Sequence, residues 1–181
     1  MIPLKSAITG KLLGYFFLNP HESLYVNELV RKLRVDKRNL VKKLNELERE
    51  NILQSRPRGN LKLYSVNQKY PLYNEYKKII SKTIGLEASL KTVLTAVPGV
   101  QQAFIYGSYA GDAMAAHSDI DLLVVGAHKI VELQSRLTKL QRAIDRGINT
   151  VSMGQAEFAR KNRNQDQFIR GILKKKHIRI I

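Results

Sequence analysis

Cysteine is absent from these 181 residues, which excludes disulfides and thiolate metal sites. Histidine is scarce: His21, His117, His128 and His177 stand far apart without ligand spacing, so no structural zinc site is expected. No apolar run approaches membrane-spanning length, and the opening Met1-Ile2-Pro3-Leu4-Lys5 has no signal-peptide core. A cytoplasmic location with no membrane partner is expected. Internal repeats and low-complexity linkers are also missing, and the length suits one domain or two small ones. Acidic residues are few, 15 against 31 Lys and Arg, giving a formal net charge of +16. Divided at residue 70, each part of the chain carries +8. A field of that sign attracts polyanions, nucleic acid before any other.

The sequence's most specific pattern runs from Gly107-Ser108 to Asp119-Ile120-Asp121. Before it, Val100 to Tyr106 is apolar; after it, Ile120 to Val125 is β-branched and aliphatic, so both flanks are predicted strands. Side chains alternate along a strand, which puts Asp119 and Asp121 on one face and turns Ile120 into the core. Two carboxylates that project together repel unless a cation lies between them. Mg²⁺ suits such a pair, because it takes few protein carboxylates and completes its octahedron with water and substrate phosphates. A Gly-Ser turn brings backbone N–H groups and the Ser108 hydroxyl near those phosphates.

Gly107, Ser108, Asp119 and Asp121 resemble the hallmark of the minimal nucleotidyltransferases of the DNA polymerase β superfamily: a Gly-Ser turn, a short helix and an Asp-x-Asp strand. The resemblance implies a Mg²⁺-bound nucleoside triphosphate, ATP first, held by Gly107 and Ser108, with Asp119 and Asp121 as metal-binding and catalytic residues. Two departures bear on transfer. Gly111 and Asp112 stand where the family usually carries a basic residue and a glycine. The family's third carboxylate, on a neighbouring strand, has its best match at Asn149 in the predicted strand Ile148 to Met153, after a helical segment from Val131 to Arg146. An amide is a weaker metal ligand and no base near neutral pH. Asp145 falls too early and Glu157 too late to replace it. His117 lies inside the motif segment, either near a nucleotide or as a solvated loop residue.

Residues 1–70 show a different logic. Ile8 to Leu18 has helical apolar spacing and stops at Asn19-Pro20, and Val26 to Leu33 is a short amphipathic helix. Asp36 is a natural N-cap for a further helix to Glu50, with Leu40, Leu44 and Leu47 on one face. Two predicted strands follow, Ile52 to Arg56 and Leu61 to Val66, around a Pro57-Arg58-Gly59-Asn60 turn. This order resembles the winged helix-turn-helix of bacterial and archaeal transcription regulators. That implies double-stranded DNA as partner: Lys37, Arg38, Asn39 and Lys42 face the major groove, and Arg56, Arg58 and Lys62 meet the backbone or minor groove. The other use of such a basic face is in a protein-interaction module.

Pro71 opens a single predicted helix to about Ala96, ended by Pro98-Gly99, with an apolar stripe from Leu72 to Leu94 that packs on its own domains or forms a homodimer. Helices near Glu157 to Asn162 and Gln165 to Lys175 precede an extended Ile178 to Ile181. The expected architecture is α+β: a winged helix-turn-helix at 1–70, a connecting helix at 71–98 and a nucleotidyltransferase-like mixed sheet with helices at 99–181. The leading expectation is a DNA-binding regulator whose second domain binds a nucleotide with weak or absent transfer. Its rival is an active enzyme moving a nucleoside monophosphate to a hydroxyl of a small molecule, RNA or protein. A partnership with a co-encoded toxin follows only from two-component systems that use this fold.

Overall fold

The computed structural model describes residues 6–111, 113, 115 and 118–181. The chain divides into two compact units, Met1–Ala88 and Ser89–Ile181. Among the described residues no helix is long and apolar enough to cross a membrane.

The first unit begins with α1, Ala7–Leu18, capped by the Ser6 side chain and closed where the Asn19 amide donates to the Tyr15 carbonyl. Leu12, Leu13 and Phe16 in this helix are fully buried, so α1 is a core element and carries apolar residues around most of its surface. Strand β1, Leu24–Tyr25, leads into α2, Val26–Leu33, whose first turn is fixed by Glu28 accepting from the Tyr25 N–H at 3.1 Å. Arg34 then takes a left-handed conformation (φ 50°), and α3, Lys37–Arg49, starts at Asp36, which accepts from the Asn39 N–H at 2.9 Å. Leu40, Leu44 and Leu47 join Leu29, Phe16 and Ile52 in one core.

Strands β2, Leu53–Arg58, and β3, Leu61–Val66, form an antiparallel hairpin, with β1 added on the β3 side. The expected four-residue turn is tighter than that. Pro57 and Arg58 pair with Lys62 and Leu61, leaving Gly59 at φ 58° and Asn60 as the turn.

The helix expected from Pro71 to Ala96 is two helices, α4 at Tyr73–Thr83 and α5 at Leu86–Thr95, and Pro71 precedes the first instead of lying in its first turn. Gly85 permits the break. The N–H groups of Ile84 and Gly85 both converge on the Ile80 carbonyl, and a Cβ at Gly85 would lie 2.9 Å from that oxygen and from the Ser81 Cα. Glycine makes the close turn possible, and the stripe divides with it: Ile80, Leu86, Leu90 and Leu94 are buried while Leu72 and Ile79 stay exposed.

The second unit is a mixed four-stranded sheet in the order β6-β5-β4-β7, with helices. Strand β4, Val100–Tyr106, runs directly into the one-turn helix α6, Gly107–Ala110, and returns antiparallel as β5, Ile120–Gly126. Helix α7, Ile130–Ile144, crosses over to β6, Ile148–Met153, which lies parallel to β5. Helices α8, Gln155–Arg163, and α9, Gln167–Lys174, precede β7, Ile178–Arg179, an antiparallel edge strand on β4. Leu122 to Val125 are completely buried, as a strand covered on both faces requires. On one face Phe104, Leu123, Val125 and Met153 pack with Phe158, Ile169 and Ile172.

A candidate nucleotide and metal site at the end of the second sheet

Strand register brings the motif together. Tyr106 is directly opposite Asp121 across β4 and β5, and Asp121 is beside Asn149 across β5 and β6. Directly opposed residues share a sheet face, so this row of three crosses the sheet at the end where β4 gives way to α6. Asp119 lies just before β5, exposed, and its Oδ2 accepts from the Asn149 Nδ2 at 3.2 Å.

Two glycines make room for the carboxylates. Gly107 has φ 70°, and a Cβ there would fall 2.1 Å from the Asp121 Oδ2. A Cβ at Gly147 would fall 2.3 Å from the Asp119 Oδ1. Gly107 is therefore favoured both by backbone conformation and by its neighbour, whereas a Cβ at Gly147 would displace the exposed Asp119 carboxylate. The sequence reading missed Gly147. In Asp145-Arg146-Gly147 it reads as an ordinary helix end, and only the chain path past β5 gives it a partner, with the Ile120 N–H bonded to the Gly147 carbonyl at 2.9 Å.

Arg146 was missed for the same reason. Its buried guanidinium donates from Nη1 to the carbonyls of Ala115 and Ser118, both at 3.1 Å, and ties the end of α7 to the backbone preceding Asp119. The Ser118 hydroxyl accepts from the Ala115 N–H at 3.0 Å. Asp112 and His117, which the sequence placed between the turn and the aspartates, lie outside the described residues.

Next to Gly107 is a cavity of about 480 Å³, lined in part by Tyr106, Gly111, Phe168, Gly171 and Lys175. Tyr106 and Phe168 meet edge to face, with ring centroids 5.8 Å apart. Burial pushes the Tyr106 phenol above its usual pKa, and the Asp121 charge adds to that.

Asp119 and Asp121 could hold one Mg²⁺. Among the described residues there is no group of three or more His, Cys, Asp or Glu side chains suited to a metal ion. Two carboxylates fit an ion that takes the rest of its shell from water and phosphate oxygens, and do not make a closed protein cage. Glu157, considered in place of Asn149, pairs with Lys161 at 3.1 Å in α8, and Asp145 is the left-handed C-cap of α7.

In the first unit, Lys37, Arg38, Asn39 and Lys42 are all exposed on the N-terminal half of α3, and Arg56, Arg58 and Lys62 are exposed on the hairpin. The hairpin cations do not share a face. Arg56 and Arg58 oppose Leu63 and Leu61, while Lys62 opposes Pro57 and so projects on the other side. There Lys62 binds Glu48 of α3 at 2.7 Å, and Glu48 also accepts from the Ser55 hydroxyl. The Lys62 contact, then the Ser55 contact, hold the Glu48 carboxyl below its usual pKa, and Glu48 raises that of Lys62.

Among known protein families, the model described as "Polymerase beta, Nucleotidyltransferase" matches residues 88–178, half of the chain. Solved structures give looser likenesses, each covering 52% of this chain. One is a toxin–antitoxin with AMP-PNP (19% identity, 72% of that chain, TM-score 0.39), and another is a mutant of the toxin–antitoxin MntA–HpeT (17% identity, 72% of that chain, TM-score 0.40). A third is described as a nucleotidyltransferase from Sulfolobus solfataricus (18% identity, 74% of that chain, TM-score 0.31). No curated protein matches the chain.

Proposed function

The chain belongs to the polymerase beta nucleotidyltransferase family, and from that premise we propose that its second unit binds a nucleoside triphosphate, ATP first, together with Mg²⁺. The observation that carries this is the contact between Gly107 and the Asp121 carboxylate, which joins the phosphate-binding turn to the metal-binding pair in one site. In that site Asp119 and Asp121 supply metal oxygens, and Gly107 and Ser108 face the phosphates. The Mg²⁺ neutralises phosphate charge when bound. Asn149 orients Asp119 through its amide, and because an amide is no base near neutral pH, nothing at that position takes a proton from an attacking hydroxyl. Nucleotide transfer is therefore slow or absent.

The first unit is read as a winged helix-turn-helix on double-stranded DNA, with α3 as recognition helix and the β2–β3 hairpin as wing, making the protein a transcription regulator. The exposed cations of α3 support this. Leu72 and Ile79, left exposed seven residues apart, support a homodimer through α4, whose paired recognition helices would read half-sites about 34 Å apart. The rival reading, an active transferase, is favoured by the intact Gly107, Ser108, Asp119 and Asp121.

Titration calorimetry on the full chain separates the two. Asp121→Ala is expected to abolish Mg²⁺-dependent ATP binding, and Asn149→Asp to raise transfer of labelled nucleotide from a low base. Robust transfer by the unmodified protein, lost in Asp119→Ala, would establish the enzyme reading instead. Failure to shift any genomic fragment at low salt would remove the regulator reading, and a monomer mass by light scattering, with and without DNA, the dimer.

A further inference from the structure

Four glycines, Gly107, Gly111, Gly147 and Gly171, lie around the candidate site, and only two of them are explained by a close approach of the protein's own atoms. Gly107 and Gly147 leave space for Asp121 and Asp119. Gly171, inside the eight-residue helix α9, does not: a Cβ placed there meets no atom within 4 Å, and its backbone is not left-handed. Glycine weakens a helix interior relative to alanine, so this position gives up stability that packing does not demand. What its missing side chain leaves open is the cavity of about 480 Å³ beside Gly107.

The walls of that cavity describe the ligand. Phe168, one turn before Gly171, keeps 40% of its surface exposed although most large apolar side chains of the described residues are buried. Its ring stands perpendicular to Tyr106, and Tyr106 is the cross-strand partner of Asp121. The cavity thus begins at Gly107 and Tyr106, the two neighbours of Asp121, and continues over aromatic surface, with Lys175 and Lys176 at its lining. A nucleoside triphosphate has the same polarity, with anionic phosphates at one end and a flat, weakly hydrated ring at the other. We infer that the cavity receives the base of the nucleotide, stacked on Phe168, and that Gly171 keeps the space for it. This rests on the nucleotide reading above.

The test compares ATP with inorganic tripolyphosphate, each with Mg²⁺, by calorimetry on the full chain and on Gly171→Leu, Gly171→Ala and Phe168→Ala. The leucine variant should fill the cavity and weaken MgATP by at least about tenfold, with tripolyphosphate binding unchanged. The alanine variant at 171 should weaken MgATP by less than the leucine variant, with tripolyphosphate again unchanged, and Phe168→Ala should lose about tenfold for ATP alone. Melting temperatures at or above that of the unmodified chain would show that the Gly171 variants fold. Unchanged MgATP affinity in Gly171→Leu would overturn the base pocket and leave the nucleotide reading standing. Loss of both ligands in a folded Gly171→Leu would place phosphates in the cavity and overturn the inference. An unmodified chain that binds neither ligand would overturn the inference and the nucleotide reading together.

Discussion

The two units place charge by opposite means. In residues 1–88 the cations of α3 sit on an exposed helical face, where the backbone imposes nothing on them beyond helical spacing. In residues 89–181 two like charges are set at a strand end, against glycines where a Cβ would displace them. Charge that acts by accumulation survives the loss of one member; charge that acts by position depends on the uncharged residues that make room for it. The sharpest test of that difference is Gly147→Ala, which removes no charge. Its methyl would fall 2.3 Å from the Asp119 Oδ1 and turn the carboxylate away. Supporting positions of metal ligands typically matter about 10–100-fold in metal affinity, so Mg²⁺-dependent ATP binding should fall by that factor with the fold retained. Unchanged affinity would break the comparison.

Glycine substitutions also separate the units by stability. Gly85→Ala places a methyl 2.9 Å from the Ile80 carbonyl and the Ser81 Cα, both backbone atoms that cannot step aside. A loss of about 1–3 kcal/mol in urea unfolding is expected, as for other overpacked sites. Gly171→Ala, in the open cavity, should instead gain about 0.5–1 kcal/mol, the helical preference of alanine over glycine. If Gly85→Ala is neutral, the break between α4 and α5 is not enforced by contact.

On the cationic side, Arg38→Ala and Lys42→Ala should each weaken DNA binding a few-fold and lower the slope of log affinity against log salt by about one. Lys62→Ala should leave that slope nearly unchanged, since its ammonium is engaged by Glu48 at 2.7 Å on the face opposite Arg56 and Arg58. Equal slopes lost at Lys42 and Lys62 would mean that DNA displaces Glu48.

What the sequence made legible follows the same division. Helices α1, α2 and α3 were readable because a periodic apolar face is a local property, and β5, which carries Asp121, because its aliphatic run is local too; Asp119 lies just before that strand, where alternation does not set its direction. The split of the 71–96 helix was not readable: Gly85 is tolerated in many helices, and the contact that ends this one depends on how Ile80 and Ser81 fold back against it. The turn was read two residues too long, and the register that sets Lys62 on the face opposite Arg56 and Arg58 shows only once Pro57 and Arg58 are paired. Gly147, Arg146 and Phe168 acquire roles only from chain segments tens of residues away, so no local pattern marks them.

The smallest effect expected separates the units by proton uptake. In the second unit His128 has Nε2 3.1 Å from the Ser152 hydroxyl and a buried Nδ1 without a hydrogen-bond partner, and burial lowers its pKa below 6.5. As pH falls past about 6.5 the unfolded chain takes up a proton that the folded one refuses, so stability falls from there down to the depressed folded value and is flat below it. In the first unit Glu48 works at lower pH. Its carboxyl, depressed by Lys62 and then Ser55, adds stability that is full above about 4.5 and is lost as pH falls through its folded value. Between pH 7.5 and 5.5, therefore, only the second unit should weaken from these two groups. The urea midpoint of its transition should drop across that interval, and His128→Asn should flatten the drop while Glu48→Gln leaves it alone. If His128→Asn shows the same drop as the unmodified chain, the neutral, half-buried imidazole is not its source.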